Sequence, residues 1–120
     1  MKDKSFLHND EFYQFPTTKL LEILENGLLL ERGRALFILA RLSGDNKELI
    51  PIVVKQIYDS KNRTAITIGT VSISCLGIAG LLEADTHDTR EIVKVLLETW
   101  TEPDRSNIID FLKLQHILGT

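Results

Sequence analysis

From Lys19 onward apolar residues recur every three or four positions, and short polar stretches separate the segments, which is the pattern of amphipathic helices rather than strands. "TTKLLEILENG" puts Leu20, Leu21 and Leu24 on one stripe and predicts a short first helix that stops in a left-handed turn at Asn26-Gly27. "LLERGRALFILARLSGD" sets Glu31, Arg34 and Arg41 along a polar stripe, leaves Leu36, Phe37, Leu39, Ala40 and Leu42 for burial, and has Gly44 as its stop. Together the two segments predict a helical hairpin. In "DNKELIPIVVKQIYDS", Asp45 and Glu48 have the spacing of a capping box, and Ile50, Val53, Val54 and Ile57 form an inward face. "DTREIVKVLLETW" repeats that arrangement with Asp88 and Glu91 as the cap and Ile92, Val95 and Leu96 as the face. Pro103 suits the first turn of a terminal helix, "PDRSNIIDFLKLQHIL", whose Ile108, Ile109, Leu112 and Leu118 face the core.

Between these segments lies "TAITIGTVSISCLGIAGLL", Thr64 to Leu82, with no charged residue. A membrane span, a pair of buried strands and a helix enclosed by protein all fit such a run. Lys61 and Arg63 before it and Glu83 and Asp85 after it suit a span. The internal hydroxyls of Thr67, Thr70, Ser72 and Ser74, and the amphipathic neighbours that a span would leave without a core, favour the enclosed helix. The β-branched residues keep the strands open. Within a helix, Ala65, Gly69, Ser72, Gly77 and Gly80 let neighbouring backbones approach closely. Each glycine lowers helix propensity by up to about 1 kcal/mol, which close packing must offset.

The hairpins also resemble one another. Ile50, Val53 and Val54 fall on Ile92, Val95 and Leu96, and Arg63 on Arg105, at an offset of 42 residues by subtraction. Periods of about 40 to 47 residues belong to HEAT and armadillo arrays. "ELIPIVVKQIYDSKNRTAITIGTVSISCLG" resembles the HEAT-repeat pattern of an apolar helix with an internal proline (Pro51), an Asp at the turn (Asp59), an Arg shortly after (Arg63) and an alanine-led second helix (Ala65). The first hairpin has Glu31, Arg34 and Ala35 but lacks the proline, and the last has Asp104 and Arg105 without a following alanine. The resemblance spans about residues 17 to 118 and implies an all-α fold, a short right-handed α-solenoid of three hairpins. It also implies that the charged residues bridge turns or neighbouring repeats.

Composition adds boundaries rather than chemistry. A chain of 120 residues, 43% hydrophobic and 26% charged, fits one globular domain. Residues 17–120 form the helical domain, with 1–16 as a cap segment whose Phe6, Phe12, Tyr13 and Phe15 fold over the first hairpin. The formal charge of −3 gives no general attraction to nucleic acid, and the N-terminus carries no signal-peptide pattern, so a cytoplasmic protein is expected. Cys75 sits among Ile73, Leu76 and Ile78, the setting of an inert buried thiol, and His8, His87 and His116 lack metal-ligand spacing. Neither catalytic residues, nor a metal, nor a cofactor is expected.

A surface remains. In HEAT-like arrays the second helices line the concave face, which here assigns Arg34, Arg41, Thr67, Thr70, Ser74, Asp110, Lys113 and His116 to a partner-binding stripe. Its mixed charge suits a protein segment better than a nucleic-acid backbone. The expected function is a non-enzymatic protein-interaction module, with a small inhibitor of the antitoxin or immunity type and a HEAT-like nucleic-acid binder as alternatives. Trp100, Phe111, Leu114 and Ile117 are apolar beyond the needs of one inward stripe and mark an oligomer contact, a homodimer or an obligate heteromer.

Overall fold

The computed structural model describes residues 14–68, 71–101 and 104–114. Helices α1 (Thr17–Asn26) and α2 (Leu29–Leu42) form a first hairpin, and a 3-10 turn, Lys47–Leu49, leads into α3 (Ile50–Tyr58). A short α4 (Ser60–Thr64) and an antiparallel ribbon of β1 (Ile66–Ile68) and β2 (Val71–Ser72) precede α5 (Ile73–Ala84). Helices α6 (His87–Thr99) and α7 (Asp104–Leu114) follow, and among the described residues the fold is all-α apart from the ribbon. Among the described residues no helix is long and apolar enough to cross a membrane.

The uncharged run therefore divides instead of forming one helix. Its first part carries alternating β-branched residues, which fit a pleated ribbon better than a helix. Ile66 pairs with Ser72 and Ile68 with Val71, with a register shift between them. The Thr67 hydroxyl donates to the Val71 carbonyl at 2.8 Å, and the Ile73 amide donates to Ala65 at 3.0 Å. Ile66 on β1 is 42% exposed, whereas Val71 and Ser72 on β2 are buried, so only the second strand is a buried one. Ser72 then caps α5, its hydroxyl accepting from the Cys75 amide at 3.1 Å.

The second part of the run is the enclosed helix the sequence predicts: every residue from Ile73 to Leu81 is buried. Its main neighbour is α2. A Cβ added to Gly33 would meet Leu76, one on Gly77 would meet Leu36 at 2.9 Å, and one on Gly80 would meet the Phe37 carbonyl and the Ala40 side chain. Residue numbers climb together along both helices, so α2 and α5 run side by side in the same direction. The other face of Gly77 is filled by Ile57 of α3, 2.7 Å from where a Cβ would stand.

Several local expectations are corrected. Gly27 is extended (φ −77°) rather than left-handed, and the left-handed residue is Asp85 (φ 55°) at the end of α5. Gly27 still answers a steric need, because a Cβ there would lie 2.7 Å from the Ile23 carbonyl oxygen. The third helix is entered through Asn46, whose side chain accepts from the Glu48 amide, and α6 is capped by the reciprocal pair Thr86 and Thr89. Asp45 and Asp88 therefore do not serve as the caps. Leu42 and Val95, assigned to the core, are 38% and 53% exposed. The buried stripes are Leu49, Val53 and Ile57 on the first of these helices and Thr89, Val93, Leu96 and Trp100 on the second. They align at 40 residues, Leu49 on Thr89 and Val53 on Val93. The offset of 42, which sets Val53 on Val95, rotates the comparison by about 200°, to the opposite side of the helix.

Gly80→Ala supplies a direct test of the close approach. On an exposed helix the change favours folding by about 1 kcal/mol, whereas here overpacking against α2 reverses the sign and destabilises by about 1–3 kcal/mol. Chemical denaturation measures it; unchanged or raised stability would mean that α2 and α5 lie farther apart.

Candidate functional site

The predicted binding stripe is assembled in part. Arg34 is half-buried on α2, directly after Gly33, and a Cβ on Gly33 would stand 3.2 Å from the Thr67 side chain on β1. The far side of the ribbon, β2, packs against α7, which carries the exposed Asp110. Arg41 lies two turns along α2 from Arg34 and pairs with Glu83 of α5 at 3.4 Å. Ser74 leaves the stripe: it is fully buried, and its hydroxyl donates to the Ile57 carbonyl at 2.7 Å, serving an acceptor that the last turn of α3 cannot satisfy itself. Thr70 and His116 lie outside the described residues, as does the Lys113 side chain.

The proposed oligomer contact is also redrawn. Trp100 and Phe111 are buried in the core, not presented at an end of the fold. The Leu114 side chain and Ile117 lie outside the described residues, as do Phe6, Phe12 and Tyr13. Phe15 packs against the core, with the Lys19 ammonium 5.8 Å from its ring centre.

Polar contacts that the sequence pattern does not reveal tie successive hairpins together. Arg32 of α2 donates to the Leu24 carbonyl of α1 at 3.0 Å and to the Asn62 side-chain oxygen at 2.8 Å. Asn62, fully buried on α4, donates in turn to the backbone carbonyl and side-chain oxygen of Gln56. Nothing local in "DSKNR" distinguishes Asn62 from its solvated neighbours; its partner is 30 residues away. One residue on, the Arg63 guanidinium lies over the Trp100 ring, 4.8 Å from its centre, linking α4 to the end of α6. Asp59 caps α4 through the Lys61 amide, and Glu31 accepts from the Leu28 amide. These two acidic residues work at their own turns.

A second feature lies between α3 and α6. Val54, Tyr58, Glu91, Ile92, Val95 and Leu96 line an open groove of about 320 Å³. The beginnings of its two walls are joined by Lys47 and Asp88, 3.0 Å apart. The hydrogen bond from Lys47, reinforced by its charge, holds the Asp88 carboxyl below its ordinary pKa. No group of three or more His, Cys, Asp or Glu residues able to hold a metal occurs among the described residues. Compared with family models, curated proteins and solved structures, the chain matches none.

The Lys47 contact is measurable by NMR titration. Because the folded pKa of Asp88 is depressed, the pair's contribution is present above the ordinary carboxylate pKa and is lost as pH falls through the folded value. Lys47→Met should move the Asp88 midpoint upward. An unchanged midpoint would show that the pair does not persist in solution.

Proposed function

We propose that the protein is a non-enzymatic interaction module, a short HEAT-like array that binds a protein partner across the face formed by α2, the ribbon and α7. The observation that carries this reading is the ribbon itself. It interrupts the second hairpin between α3 and α5 and contacts α2 through β1 and α7 through β2. Insertions into helical repeats tend to gather on the binding face. The parallel contact of α2 and α5 supports the array, since second helices of successive hairpins stack in this way. Arg34, Arg41, Thr67 and Asp110 then supply a mixed polar surface in which Arg41 is already oriented by Glu83.

Affinity capture with the full chain, followed by mass spectrometry, tests the reading. Wild type should retain one or a few defined proteins, and Asp110→Lys combined with Arg41→Glu should lose them while keeping the wild-type circular dichroism spectrum. Retention of nucleic acid that disappears with added salt would replace the protein partner with a phosphate backbone. Equal capture by the double variant would remove this face from recognition.

A further inference from the structure

We propose a second docking surface, independent of that face: the groove between α3 and α6 receives a short amphipathic segment of a partner protein, which seats apolar side chains over Val54, Tyr58 and Val95 and places a Lys or Arg against Glu91. The groove is open along one side, so its occupant covers it and is not enclosed by it. Val95 is 53% exposed and Tyr58 45%, on adjoining helices, with Ile92 and Leu96 forming the floor. The exposed apolar side chains, one on each helix, offer seats for two apolar anchors of such a segment.

Charge selects the partner. Glu91 is the one ionisable acid or base among the lining residues besides the Tyr58 phenol, and it makes no ion pair among the described residues. Asp88, one turn earlier, is already engaged by Lys47. Lys55 and Lys94 are exposed and do not line the groove. An apolar trough with one uncompensated carboxylate recognises a cationic apolar segment and repels an anionic one, a preference in keeping with the chain's formal charge of −3.

The test selects from a displayed library of random peptides of about 12 residues on the full-length chain, then measures the winners by fluorescence anisotropy. The expected consensus pairs two apolar residues with a Lys or Arg three or four positions away. Val95→Glu should weaken binding by at least about tenfold, and Glu91→Lys should weaken it about tenfold while gaining affinity for the peptide in which Glu replaces the basic residue. Both side chains are exposed, so both variants should keep the wild-type melting temperature. Selection of no peptide, a consensus without a basic residue, or binding indifferent to Val95→Glu overturns the proposal. So does a wild-type dimer that Val95→Glu dissociates, which would assign the groove to a second copy of the chain. Selected peptides displaced by changes at Arg41 and Asp110 but not at Val95 would overturn this surface and leave the other one standing.

Discussion

Everything else in this fold is arranged around the contact between α2 and α5. At Gly77 and Gly80 the backbone of α5 comes so near to α2 and α3 that even one methyl group would collide. Two helices this close present each other with backbone as well as side chains, and the dispersion lost to any gap between them would be large in sum. Because α5 is covered on all sides, it needs no amphipathic pattern, and its neighbours inherit theirs from it. Helices α2, α3 and α6 all pack against α5, and α2 is enclosed further by α1. The residues that bring α5 to its place are polar, Ser72 at its beginning and Asp85 at its end, the latter held by Arg90 at 2.6 Å.

Apolar contact alone leaves stacked helices free to slide, and the polar links restrict that freedom. Arg32 and Asn62 fix the first hairpin against the second at a buried site, where an unmade hydrogen bond costs about 1–3 kcal/mol. Arg63 over Trp100 ties α4 to the end of α6 through a cation–π contact. Lys47 and Asp88 join α3 to α6 at the surface, where a solvated pair adds orientation more than stability. Burial falls from the Asn62 site through Trp100 to the exposed Lys47–Asp88 pair.

Helix positions were legible from the sequence because burial imposes a period of 3.6, which α1 follows with Leu20 and Leu24 buried, whereas α2 is buried at every position from Ala35 to Ala40. What escaped has identifiable causes. The ribbon lies in a run whose hydropathy is uniform, so periodicity carries no signal there, and only the alternation of Ile66, Thr67 and Ile68 points to strands. Val95 was placed inward because two apolar residues, Val95 and Leu96, stand adjacent and a helix turns by about 100° between them. Ser74 looked like a surface hydroxyl, but a carbonyl at the end of another helix gives it a buried partner. Of the candidate binding stripe, the sequence supplied Arg34, Arg41, Thr67 and Asp110 as polar positions; the Arg41–Glu83 pair depends on tertiary proximity that no local pattern encodes.

The parallel pairing of α2 with α5 has a temporal side. Phe37 and Gly80 are separated by about forty residues of chain, which a ribosome adds in about 2–8 s at the usual rate of elongation. Helix α2 is complete early, with α1 already available to pack on it, but the helix that covers Leu36, Phe37 and Ala40 has yet to be made. For those seconds the nascent first hairpin carries an uncovered apolar flank, the kind of surface that chaperones bind and that neighbouring nascent chains on a polysome can share. Synthesis of α5 closes that interval by covering the flank from within the same chain.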